Sequence, residues 1–371
     1  MEQWRQDRLI DILDTLIDYR GKTPNKVDCG IPLITAKIVK NGRIDIPTEF
    51  LPIEDYSDWM VRGFPQVGDV VLTTEAPLGE VAQLKDEKIA LAQRIVCLRG
   101  KEGVLDNTYL KYFFLSNIGQ NRLKARETGT TVTGIKQSEL KEILIDYPKI
   151  DTQKSIASIL SSLDNKIELN RRINDNLEQQ AQALFKSWFV ENASYSGVSI
   201  SEYFLPNRGK NLLVSDAKGG KTPVVAGGLT PSAFHNVANT KAPVITISAS
   251  GANAGFVNLW GIPVWAADSS YIDSTIVSNI YFWYNLLKYN QKNIYESQTG
   301  SAQPHIYPKH IGNLLIPDLD MRKVKCYESI VTSMYLQINE IQQETKLLTD
   351  LRDTLLPKLM SGELKINDLN C

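Results

Sequence analysis

Between Ile156 and Trp188 the apolar positions recur at alternating spacings of four and three. They read Ile156, Leu160, Leu163, Ile167, Asn170, Asn174, Leu177, Ala181, Leu184 and Trp188. This is a heptad a/d seam with two asparagines in its middle. At an offset of 171 residues (Ile156 to Tyr327) the phasing returns as Tyr327, Val331, Met334, Ile338, Ile341, Thr345, Leu348, Arg352, Leu355 and Leu359. Two long helices of one phase, each following a globular stretch, predict a duplicated chain with two heads on a shared spine. Antiparallel pairing gives the halves a pseudo-two-fold axis and brings Asn170 and Asn174 near Ile341. Buried asparagines there trade stability for register. Asp151 or Thr152, after Pro148, is the expected N-cap, and residues 154–190 would make a rod of roughly 55 Å.

The flanking stretches mix strand and helix signals. Up to about Ile150, Ile31–Ile34, Val67–Leu72 and Ile95–Leu98 read as strands and Tyr109–Lys124 as a helix. The second stretch repeats the first in outline. Gly220-Lys221-Thr222-Pro223 echoes Gly21-Lys22-Thr23-Pro24, and the strand-like Pro243–Ser248 echoes Asp69–Thr74. The helix Ile280–Lys288 echoes Tyr109–Ser116, and Thr299-Gly300-Ser301 follows Thr128-Gly129-Thr130 at the same 171-residue offset as the helices. The expected architecture is α+β, with segments 1–150, 151–193, 194–318 and 319–371. The order of strands within each head is not fixed by the pattern.

Composition adds bounds. Hydrophobic residues make up 43% and charged residues 22% of the chain, as in an ordinary globular protein. The polar, acidic start carries no secretion signal, and no apolar run is long enough to span a membrane. Four scattered cysteines without a CxxC pair fit reduced thiols in a cytoplasm. A net charge of −1 argues against a broad electrostatic grip on nucleic acid, so any affinity must come from local patches or from a basic partner.

The search for chemistry returns little. Gly-Lys-Thr occurs twice, but a phosphate loop needs a glycine five positions earlier, where Leu16 and Ser215 stand. His235, His305 and His310 lack metal-ligand spacing. Glu139-Leu140-Lys141 and Glu363-Leu364-Lys365 resemble half of a nuclease site, but a charge pair on a solvated face is the commoner explanation for such a short match. No cofactor, metal or catalytic group is expected. The candidate DNA contacts are basic and amide-bearing loop positions. In the first head these are Lys22, Thr23, Lys37, Lys40, Arg43, Arg122, Lys124, Arg126, Thr130, Thr131 and Lys136. In the second they are Lys218, Lys221, Thr222, Ser250, Asn253, Gln298, Thr299, Ser301, Gln303 and His305.

Several motifs together resemble the specificity subunit of type I restriction-modification enzymes. They include Tyr19-Arg20-Gly21-Lys22-Thr23-Pro24, Gly68–Gly79, Leu91-Ala92-Gln93-Arg94 and Thr128–Lys136 in the first head. Ala183–Phe189 on the spine, Ser248–Val257 in the second head and Leu355–Leu364 at the end complete the set. The resemblance implies that 1–150 and 194–318 are target recognition domains, each reading one half of a bipartite double-stranded DNA target. The helices in 151–193 and 319–371 would set the gap and dock two methyltransferase (modification) subunits, through which restriction/translocase subunits join. It implies a non-catalytic cytoplasmic protein with no membrane partner. Two alternatives stand beside it: a coiled-coil scaffold that never touches DNA, which the near-neutral charge favours, and a nuclease built on one ExK fragment.

Overall fold

The computed structural model describes residues 4–19, 21, 23–129, 133–191, 193–300 and 303–366. It divides into two compact units, Met1–Ile167 with Leu347–Cys371, and Glu168–Lys346. Two helices, Ile150–Phe189 and Met321–Met360, run through both units. The first contains neither glycine nor proline, so nothing interrupts its hydrogen-bond ladder.

In the first unit, the strands Leu13–Asp18, Ile95–Gly100, Val70–Thr74 and Leu78–Gln83 lie side by side in that order, all antiparallel. Val70–Thr74 is buried at every position because alternate side chains serve two cores. Val70 and Leu72 join Val96, Leu98, Leu110 and Phe113 on one face, and Val71 joins Ile17, Cys97 and Leu33 on the other. Ile31–Ile34 pairs in parallel with Ala90–Leu91 and antiparallel with Phe50–Leu51.

The second unit repeats this order. Asn207–Arg208, Ser269–Asp273, Val244–Ser248 and Val257–Trp260 form its antiparallel sheet. Thr222–Val225 pairs in parallel with Trp265–Ala266 and antiparallel with Ala233–His235. The duplication read from motif spacing is therefore a duplication of topology, with the strand order that the pattern left open now given twice.

Within each unit the long helices pair antiparallel. In the second, Lys323 Nζ donates to the Trp188 carbonyl at 2.5 Å, Tyr327 Oη to that of Ala181 at 2.9 Å, and Asn170 Nδ2 to Glu344 Oε2 at 2.8 Å. In the first, Arg352 Nη1 meets Asp164 Oδ1 at 3.0 Å, and Ile156, Ala157 and Leu160 share a core with Leu359 and Met360. Gln153 is fully buried and anchors the first helix to its head. It donates to the carbonyls of Val104 and Pro148 and accepts from the Asp106 amide.

Of the expected seam, Ile156, Leu160, Ile167, Asn170, Val331, Ile338 and Leu359 are buried. Leu163, Asn174, Leu177, Leu184, Trp188, Met334, Ile341, Leu348 and Leu355 are half-buried. Ala181 of the seam is buried as well, but beyond it the deepest positions are Phe185 and Phe189 in place of Leu184 and Trp188. The seam predicted there is off by one because the helix has two partners. Phe189 lies 5.5 Å from Tyr327 on the other long helix and 4.9 Å from Phe282 in the head, so its buried face is wider than a two-helix seam.

Two other expectations are corrected. The first long helix begins at Ile150, so Asp151 and Thr152 lie in its first turn, where Asp151 still favours the positive helix end. Tyr109–Lys124 is two helices, Asn107–Leu115 and Asn117–Lys124, because Ser116 turns extended and caps the second. Asn170 bonds Glu344 and Thr345 (Oγ1 at 3.2 Å), within about a turn of Ile341 as antiparallel pairing requires.

Candidate nucleic-acid interface

In the second head a strand end, a turn and a loop converge. After Val244–Ser248 the chain turns through Gly251 and Gly255, both at positive φ, which only glycine adopts without strain. The Thr299–His305 loop closes on itself, Thr299 N donating to the His305 carbonyl at 3.1 Å and His305 N returning a bond at 2.8 Å. It is stitched to the turn by Gly251 N to the Pro304 carbonyl at 3.1 Å and by Ile306 N to the Ala249 carbonyl at 2.9 Å. Gln298 Nε2 donates to the Ala254 carbonyl at 2.7 Å, and Ser250 Oγ donates to the Asp268 carboxylate. Ser250, Asn253, Gln298, Thr299, Gln303 and His305 are thereby gathered in one place. His305 stacks on Tyr307 with ring centres 5.9 Å apart.

The first head builds the same device from other residues. Thr128 N and Gly134 N exchange bonds with each other's carbonyls at 2.7 and 3.0 Å, and Ile135 N donates to the Thr74 carbonyl at 2.9 Å. Glu75 bridges Gly134 as Ser250 bridges His305. A glutamine clamps each preceding turn: Gln120 Nε2 donates to the Gly79 carbonyl and Gln291 Nε2 to that of Gly255, both at 2.8 Å. These glutamines went unread in the sequence, although they too stand 171 residues apart.

The remaining candidates are more scattered. Lys40 and Arg43 flank a tight hairpin whose Asn41 amide donates to Glu80 at 2.7 Å. Arg43 pairs with Asp45 at 3.3 Å, and Lys37 projects into solvent 3.9 Å from Glu49. Thr23, Lys124 and Lys136 are exposed. Arg122 and Arg126 are each engaged with a carboxylate of the head. Arg122 holds Asp146 and the Leu144 carbonyl and lies over the Phe113 ring, while Arg126 pairs with Glu139 at 2.9 Å. The basic cluster expected around them therefore offers Lys124 to solvent, with Arg126 in a surface ion pair and Arg122 turned to Asp146.

Lys218 and Lys221 are exposed beside Thr222, whose strand pairs with His235. The Lys218 amide donates to His235 Nδ1 at 3.1 Å. Asn253 Nδ2 reaches the Gly227 carbonyl at 3.4 Å, linking this segment to the loop cluster. Lys22, Thr130, Thr131 and Ser301 lie outside the described residues. Among the described residues, no three His, Cys, Asp or Glu side chains come together to hold a metal, and no helix is long and apolar enough to cross a membrane.

Both loop clusters are closed by backbone hydrogen bonds between their described ends, and the second presents hydroxyl, amide and imidazole groups. Such groups suit the recognition of a polar ligand by directional bonds better than bulk electrostatic attraction.

Residues 1–179 match the family described as the type I restriction modification DNA specificity domain. The MjaIX type I restriction enzyme specificity subunit of Methanocaldococcus jannaschii is 26% identical over 363 residues, covering 83% of this chain and 80% of its own. A putative type I specificity subunit of Mycoplasma genitalium is 28% identical over 258 residues, covering 65% and 67%. The crystal structure of a type I restriction-modification S subunit from M. genitalium has the same fold. Its TM-score is 0.60 at 22% identity, over 96% of both chains.

Proposed function

The chain belongs to the specificity-subunit family of type I restriction-modification enzymes, and on that premise we propose that it reads a bipartite double-stranded DNA target without catalysing a reaction. The observation that carries this reading is the pair of matching loop clusters. The bridges of Thr128 and Glu75 to Gly134, and of Thr299 and Ser250 to His305, match in pattern, while the side chains around them differ. Two readers on one scaffold that present different donors suit two unlike half-sites.

In this reading Lys40, Lys124 and Lys136 in the first head, and Lys218 and Lys221 in the second, meet phosphates and set each head's register on the duplex. Ser250, Asn253, Gln303 and His305 face base edges. With a net charge of only −1, much of the sequence-independent grip comes from partner subunits. Two methyltransferase subunits dock on the long helices and restriction/translocase subunits join through them. Each unit leaves leucines on its share of the helices exposed for such docking, Leu347 and Leu351 in one, Leu169 and Leu336 in the other. No cofactor is needed, because the role is binding.

The test is to assemble the chain with its methyltransferase subunits and select from randomised duplexes. A split consensus with a fixed gap supports the reading, and absence of any sequence preference leaves the scaffold alternative standing. The gap is tested by inserting one heptad into each helix, after Ile167 and after Lys346. These points fall between the last antiparallel contacts of one unit and the first of the other, so pairing within each is kept. Seven residues add about 10 Å of helix, or about three base pairs of axis. Both half-sites should persist with a wider gap, and a changed base preference inside either would sink the ruler.

A further inference from the structure

Arg208 was not among the residues that the sequence singled out, yet it sits at the edge of the second loop cluster with its side chain already placed. Its backbone pairs with Ser270 at the sheet edge. The next residue, Gly209, is pressed so closely on the sheet that a Cβ there would fall 2.4 Å from the Ala267 carbonyl oxygen. Gly209 N donates to the Ser269 carbonyl at 2.8 Å, and Lys210 N to that of Ala266 at 2.9 Å. The arginine therefore projects from a rigid base.

Its Nη2 donates to Asp268 Oδ1 at 2.6 Å, while Oδ2 of the same carboxylate accepts from Ser250 Oγ. Both carboxylate oxygens are thus used to hold the guanidinium beside Ser250, which bridges to His305. The Arg208 side chain is still 41% exposed, and it borders an open cleft of about 450 Å³ lined also by Gly209, Asn211, Ala267 and Asp268.

We infer that Arg208 reads a guanine in the half-site bound by the second head, with Asp268 as the residue that positions it. This rests on the DNA-reading function proposed above. Paired with Asp268, Arg208 brings almost no net charge, so it adds little to sequence-independent attraction to phosphates. What remains is a planar fork whose direction is fixed and whose conformational freedom is already spent. That fork matches the adjacent O6 and N7 acceptors of guanine in the major groove.

The test uses the full chain assembled with its methyltransferase subunits and randomised duplexes. Arg208→Lys keeps the charge and removes the fork. Preference for guanine should fall on the order of ten- to a hundredfold at one position of one half-site, the other half-site serving as an internal control for folding. Asp268→Asn, which loosens the arginine without removing it, should relax the same position to a smaller degree. An Arg208→Lys complex with wild-type preference at every position would overturn the inference. So would an Arg208→Gln complex weakened equally on all sequences with a salt slope lower by about one, the signature of a phosphate contact. A wild-type complex without sequence preference would remove the DNA-reading function itself and the arginine's role with it.

Discussion

Phe185 is the residue on which packing of the second head against its helices most depends. Its side chain is 1% exposed and lies 5.5 Å from Phe189, 5.8 Å from Phe282, 6.0 Å from Tyr327 and 6.1 Å from Tyr289. One ring thus touches both long helices and the head helix Ile280–Tyr289. Phe185→Ala removes the ring and leaves a cavity that these rigid aromatic neighbours cannot fill. The cost should be about 3–5 kcal/mol, a large part of the roughly 5–15 kcal/mol that holds a domain folded. In a unit of this size that lowers the melting temperature by about 6–20 °C. Phe185→Leu, which keeps most of the volume, should cost about 1–2 kcal/mol. Unfolding can be followed by tryptophan fluorescence, since Trp283 lies 5.1 Å from Phe282 in the same cluster. The exposed Ser187→Ala serves as control. A loss below about 1 kcal/mol for Phe185→Ala would show that another residue carries this packing.

Asn170 is fully buried, and its Oδ1 has no partner among the described residues, whereas its partner Glu344 is exposed and stays solvated. Asn170→Leu should therefore stabilise the second unit by about 1 kcal/mol, and a lower denaturation midpoint would refute this. Lys136→Gln should lower the salt slope of DNA binding by about one, while Arg122→Gln should leave the slope unchanged and destabilise the first head, because that arginine holds Asp146 and the Leu144 carbonyl. Burial pushes the phenols of Tyr109, Tyr112, Tyr327 and Tyr335 well above their ordinary value near 10. Below about pH 10 both folded and unfolded chains keep these protons, and above it only the unfolded chain releases them, so stability falls as pH rises. Tyrosinate absorbance should appear together with unfolding. Ionisation of these four in a chain that stays folded would contradict their burial.

The long helices and the duplication were legible because periodicity and spacing are local properties of a sequence. The order of the strands was not, since it is settled by pairings between distant segments such as Leu13–Asp18 with Ile95–Gly100. The same distance limits the reading of the site. Arg122 and Arg126 look like free cations in the sequence, but their carboxylates lie 24 and 13 residues away. Arg208 passed unremarked because the aspartate that gives it direction is 60 residues downstream. The Thr-Gly loops were found because their composition marks a turn and the repeat marks it twice. The off-by-one seam near Phe185 has a similar cause: a heptad rule counts one neighbouring helix, and this segment has two neighbours.

The first unit encloses the second in sequence, taking residues on both sides of Glu168–Lys346. On a ribosome this imposes an order of events. Every residue of the second unit has been made before Leu347, whereas the first head waits for Leu355, Leu359 and Met360 to cover Ile156 and Leu160. The head translated first is therefore the one completed last. A chain halted shortly after Lys346 would carry one finished reader and one with its helix-facing core still open to solvent.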